Sequence, residues 1–94
     1  MEPLKEEKIN EHLTSLNGWK YENDSITKDF KFNDFKEALA FIIRVGFEAE
    51  ELGHHPNLSN VYNQVGIALQ THDIGNKVSE KDIELAQKIE KILA

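Results

Sequence analysis

The sequence predicts an α+β protein with the element order α-β-β-α-β-β-α, on three observations. A helical repeat of apolar residues opens the chain, and a longer, far more apolar one occupies its middle. A capping box starts a third helix near the end, and two pairs of short strand-like segments, each split by a turn sequence, fill the gaps. No internal repeat or low-complexity tract breaks this order, and 94 residues suit one domain spanning 1–94.

In residues 5–16, Ile9, Leu13 and Leu16 fall near helical spacing with charges between them. Asn17-Gly18 ends that helix, because both residues tolerate left-handed backbone. Trp19–Glu22 reads as a short strand and Asn23-Asp24-Ser25 as a turn. Ile26, Lys28, Phe30 and Phe32 alternate with Thr27, Asp29 and Lys31, which predicts a second strand with an aromatic face. Asn33 is placed as the N-cap of a long helix from Asp34 to about Leu52. Its apolar residues, from Phe35 through Leu39, Ile43 and Phe47 to Ala49, cover more than one stripe. Two buried faces are therefore expected, one on the sheet and one on another subunit. Gly53 suits the C-cap, and Pro56 keeps the helix from resuming. Leu58–Tyr62 and Val65–Gln70 form a hairpin around Asn63-Gln64. Ser79-Glu80-Lys81-Asp82 opens the last helix, which is expected to bury Ile83, Ala86, Ile89 and Leu93.

Composition narrows the function. Without cysteine there is neither a disulfide framework nor thiolate chemistry, which fits a reducing, cytoplasmic setting. The charged start, Met1-Glu2-Pro3-Leu4-Lys5, lacks the apolar segment of a secretory signal. No apolar run approaches the ~18 residues of a membrane span. The net charge of −6, spread along the chain, argues against nucleic acid and suits small-molecule or protein partners.

Chemistry concentrates between Glu50 and Asp82. Glu50 is followed after three residues by His54-His55-Pro56, then after five by Tyr62, after nine by His72 and after nine by Asp82. Three of the four histidines lie in this block, and imidazole is the side chain best suited to moving protons near neutral pH. Glu50 and His54, four apart, share a face if the helix continues, so Glu50 is expected to orient His54. The helix C-terminus favours a protonated ring at His54. His55 precedes proline, is pushed toward extended backbone, and diverges from His54. If Asn63-Gln64 is a two-residue turn, Tyr62 pairs with Val65, and continuing outward His55 lies opposite His72. Asp82 is expected to act as a helix cap, and Tyr62 as a packed strand aromatic. Trp19 fits either the core or a pocket wall, and His12 falls outside the pattern. No H-E-x-x-H spacing, cysteine or paired carboxylate accompanies the histidines, so no metal is expected.

The spaced set Glu-x3-His-His-Pro-x5-Tyr-x9-His-x9-Asp, with Asn60-Val61-Tyr62-Asn63 and Thr71-His72-Asp73, resembles the signature of pterin-4a-carbinolamine dehydratases. The resemblance runs from Gly18-Trp19 to the C-terminus. It implies a four-stranded antiparallel sheet with helices packed on one face. It also implies dehydration of a 4a-hydroxytetrahydropterin to the quinonoid dihydropterin, without metal or organic cofactor, in tetrahydropterin recycling. His54 and His72 then look like the acid–base pair, His55 like a pterin-binding residue that shares in proton transfer, and Glu50 like the orienting carboxylate. Gly53, Pro56, Gln70, Thr71, Asp73 and Trp19 join the histidines as candidate pterin contacts. Gln70 and Gly53 depart from the family, where a small hydroxyl residue and Asp or Asn are common. Family members form homodimers or homotetramers by joining sheets and packing the long helix. In animals they also act as dimerisation cofactors of a homeodomain transcription factor, so an interaction module is the alternative function.

Overall fold

The computed structural model describes residues 1–94. Its elements follow the expected order: α1 (Glu6–Leu13), β1 (Lys20–Glu22), β2 (Ser25–Lys31), α2 (Phe35–Leu52), β3 (Asn57–Val61), β4 (Gln64–Leu69) and α3 (Glu80–Leu93). The strands form one antiparallel sheet in the order β1-β2-β4-β3. Ile26 and Phe30 of β2 alternate with solvent-side residues, as do Val65, Ile67 and Leu69 of β4, and together they floor the core. The helices supply its roof through Ile9, Ala38, Phe41, Val45, Ala49, Ile83, Leu85, Ala86 and Ile89. No helix is long and apolar enough to cross a membrane.

Local chemistry explains most boundaries. Helix α1 ends three residues earlier than its apolar repeat, because Ser15 and Leu16 bond back to His12 and Leu13 in a tighter turn. Leu16 still reaches the core. Asn23 and Asp24 both take positive φ, 52° and 59°, and close the β1–β2 hairpin as a two-residue turn. The cap of α2 is Asp34, not Asn33: the Asp34 carboxylate accepts from Glu37 N–H at 2.9 Å. Asn33 instead donates its own N–H to the Glu37 carboxylate at 2.9 Å, so two orphan donors are satisfied reciprocally.

The second face of α2, expected to meet another subunit, is left uncovered within the chain: Phe35, Leu39, Ile43 and Phe47 stand exposed along it. One sequence expectation fails here: in α3, Leu93 is exposed, whereas Leu85 is fully buried.

The β3–β4 turn sits one residue earlier than predicted, which shifts the pairing by two: Val65 faces Asn60 instead of Tyr62. Val61 pairs with Gln64, and the turn is Tyr62-Asn63 with Tyr62 at φ 52°. A long-range contact selects this register. Asn63 continues the β2–β4 pairing, its carbonyl accepting from Phe32 N–H at 2.8 Å and its side-chain amide donating to Phe32 O at 2.9 Å. Tyr62 therefore pairs with nothing, and the predicted opposition of His55 and His72 does not occur.

At the far end of α2, Gly53 takes φ 68°, and its N–H and that of His54 reach back to Glu50 and Ala49 at 3.1 and 3.0 Å. This Schellman closure ends the helix and fixes the backbone of His54. No atom lies within 4 Å of where a Cβ on Gly53 would stand, so only backbone strain opposes a side chain there. Gly53→Ala should lower the unfolding free energy by about 1–2 kcal/mol, read by urea denaturation. An unchanged midpoint would show that the turn relaxes without strain.

Candidate active site

A carboxylate removed from water needs donors, and Asp82, fully buried, has three. His54 Nε2 lies 2.5 Å from Oδ1. Thr71 Oγ1 donates to Oδ2 at 2.8 Å, and the backbone N–H of Ser79 does so at 2.9 Å. Thr71 has one hydroxyl hydrogen and gives it to Asp82, so Ser79 Oγ, 2.5 Å away, donates to Thr71. The Ser79–Asp82 capping box thus exists as predicted, but its carboxylate also grips a histidine 28 residues away. Sequence reasoning missed this second use. Its only trace in the sequence is Asp82 as the last member of the spaced set.

The expected Glu50–His54 contact is absent. The left-handed turn at Gly53 ends the helix before His54, so the two no longer share a helical face. His54 turns inward and is 8% exposed. His55, extended before Pro56, stays at the surface and takes Glu50 as its partner, with Nε2 2.8 Å from Oε1. The two rings diverge as expected, with the carboxylate partners redistributed.

His72 arrives by a different route from the one its register predicted. After β4, Gln70 and Thr71 lead into a 3₁₀ turn, His72–Ile74. Thr71 and Lys77 bridge its base, with Thr71 N–H donating to Lys77 O at 2.7 Å. Gly75 and Asn76, at φ 81° and 62°, turn the chain back. Asn76 Oδ1 lies 3.1 Å from His72 Nδ1 and props the ring from within the same loop.

The three histidines meet along one small polar cleft. A hollow of about 230 Å³ is lined by Gly53, His54, His55, Gln70, Thr71, His72 and Asp73. An adjoining hollow of about 260 Å³ shares His55, Gln70 and His72 and adds Pro56, Asn57 and Asn76. Gln70 is anchored, its amide donating to Ser25 Oγ at 2.8 Å. The Thr71 hydroxyl is committed inward, and its backbone is bonded within the loop, its N–H to Lys77 O and its carbonyl accepting from Asn76 N–H at 3.1 Å. Larger hollows of about 350 Å³ lie on the open sheet face around Asp29, Ser59 and Gly66, but they hold no histidine. No group of three His, Cys, Asp or Glu side chains converges to hold a metal ion.

Two candidates fall outside the cleft. Trp19 is a core residue, edge-on to Phe30 at 6.1 Å, with its indole N–H donated to Glu90 at 3.0 Å. Tyr62 projects from the hairpin tip and is exposed, because its left-handed backbone removes it from the strand.

Thr71→Val should cost about 1–3 kcal/mol of stability, since it strips a donor from a buried carboxylate and a partner from Ser79. Chemical denaturation reads this loss, and a change below about 0.5 kcal/mol would contradict the donor count at Asp82.

Residues 2–92 match the family model described as pterin 4 alpha carbinolamine dehydratase. A protein of Opitutus terrae, provisionally named pterin-4-alpha-carbinolamine dehydratase, is 49% identical over 89% of this chain and 87% of its own length. A relative from Christiangramia forsetii with the same provisional name is 46% identical over 99% of this chain and 95% of its own. Among solved structures, a "transcriptional coactivator/pterin dehydratase from Brucella Melitensis" superposes with a TM-score of 0.92 at 40% identity, covering 98% of this chain and 99% of that one. The chain belongs to the pterin 4 alpha carbinolamine dehydratase family.

Proposed function

We propose that this protein removes water from a 4a-hydroxytetrahydropterin to give the quinonoid dihydropterin, by histidine acid–base catalysis, as a step in tetrahydropterin recycling. One observation carries the reading: His54, His55 and His72, delivered by two separate segments, line one cleft with no apolar side chain in its deeper hollow. Dehydration breaks the C4a–O bond. A proton must reach the departing hydroxyl so that it leaves as water. A second proton must leave the ring system, its electron pair closing the new double bond at C4a. Groups that exchange protons near neutral pH serve both transfers. His54 and His72 are assigned to them. His55, held by Glu50, is assigned to binding the pterin and to sharing in proton transfer. Gly53, Pro56, Gln70, Thr71 and Asp73 form the walls that orient the ring.

The apolar stripe on α2 is assigned to a second copy of the chain. Its four large side chains are spaced one helical turn apart, and Phe47 is 70% exposed. Strand β3 adds an open sheet edge without a charged residue to blunt it. The stripe also supports the alternative reading, an interaction module, for which the coactivator title of the Brucella relative is a precedent.

The enzymatic reading is tested by generating the 4a-hydroxytetrahydropterin in situ and following the quinonoid product by absorbance. Wild type should exceed the spontaneous rate clearly. His54→Ala and His72→Ala should each lower kcat by about 10²-fold or more, and His55→Ala should chiefly raise KM. A well-folded wild type that leaves the spontaneous rate unchanged would overturn the reading. For association, light scattering should show a multimer that Phe47→Glu shifts toward monomer. A monomeric wild type would assign the stripe to a different protein.

A further inference from the structure

We propose that Asp82 is the positioning residue that sets the protonation pattern of His54 and so decides which ring nitrogen faces the pterin; the proposal rests on the dehydratase reading. Asp82 is placed like a structural cap, and its Oδ2 does that work by accepting from Ser79 N–H and Thr71 Oγ1. Its other oxygen is not needed by the helix. Oδ1 faces only His54 Nε2, at 2.5 Å, from a position with no solvent exposure.

Hydrogen-bond accounting then fixes the histidine. The carboxylate accepts the Thr71 hydroxyl hydrogen and the Ser79 N–H, so both protein donors on Oδ2 are already in place. An ionised carboxylate has no hydrogen to give, so the hydrogen between Oδ1 and Nε2 belongs to the imidazole. Neutral His54 is therefore the Nε2–H tautomer. Its Nδ1 carries the lone pair and is the only ring nitrogen left to exchange a proton with the substrate. When Nδ1 takes a proton, the charge forms beside the buried carboxylate and is balanced there, without movement of either side chain.

His55 and His72 lack this arrangement. Glu50 beside His55 is exposed, its side chain 80% accessible, so water screens the pair. His72 is held by the neutral amide of Asn76. Among the three imidazoles, only His54 is backed by a carboxylate with no access to water.

The substitution Asp82→Asn isolates this role. The amide oxygen replaces Oδ2, because Ser79 N–H and Thr71 Oγ1 both donate there, and the cap survives. The amide NH2 then faces Nε2 as a donor. Nε2 must accept, and the His54 proton moves to Nδ1, where it blocks the catalytic lone pair. Ring-nitrogen NMR at a pH where the imidazole is neutral should show His54 as Nε2–H in wild type and as Nδ1–H in Asp82→Asn. In the dehydration assay the variant should lose about 10²–10⁴-fold in kcat with KM changed less than about threefold. A purely structural role would lower stability and leave the tautomer unchanged.

Wild-type protein carrying the His54 proton on Nδ1 would overturn the proposal, and this measurement needs no variant to fold. A folded Asp82→Asn variant with wild-type kcat would overturn it too. Absence of dehydration by wild type, with His54 still Nε2–H, would count against the dehydratase reading alone.

Discussion

Asp82 ties together three stretches of chain that the sequence keeps far apart: the end of α2, the loop after β4 and the start of α3. Each contributes one donor to a single buried carboxylate, through His54, Thr71 and Ser79 respectively. A buried charge tolerates no missing partner, and breaking such a set is costed at about 3–5 kcal/mol. The elements must therefore meet in one geometry, and that geometry holds His54 at the cleft floor. The contacts that hold the fold here are also those proposed to position His54 for proton transfer. A mutation at this node is expected to affect both, and the conservative amide at position 82 is the change best placed to separate them.

The rest of the fold serves this junction. The sheet gives β4 a central position, paired on both edges, so the loop that follows it leaves from a rigid strand. Helix α2 lies over β4 and stops at a left-handed glycine, which turns His54 inward instead of around the helix. A separate polar cluster, with Glu90 accepting from Trp19 and Lys28, ties α3 to the start of the sheet and leaves the cleft untouched. Apolar surface is segregated too, lying along α2 and the β3 edge.

Element order, the alternating strands and the α3 capping box were legible because each is written in neighbouring residues. The candidate histidines were legible as a spaced set, and the structure brings all three to one cleft. What sequence reasoning missed was decided across long separations. The hairpin register followed Phe32 pairing with Asn63, a contact between β2 and the turn that local turn preferences do not contain. Glu50 was matched to His54 by helical spacing, but that rule holds only while the helix continues, and Gly53 ends it. Asp82 read correctly as a cap; its second oxygen found a partner that no local pattern could name. Trp19, open between core and pocket in the sequence, became core once Glu90 took its indole hydrogen.

Under the proposed function, pterin binds in the histidine cleft and not in the larger hollows of the open sheet face. The direct measurement is amide NMR during titration with a stable dihydropterin. Shifts should be confined to Gly53–His55 and Gln70–Asn76, with Asp29, Ser59 and Gly66 unmoved. Shifts centred on Asp29, Ser59 and Gly66, with His54 and His72 silent, would contradict it.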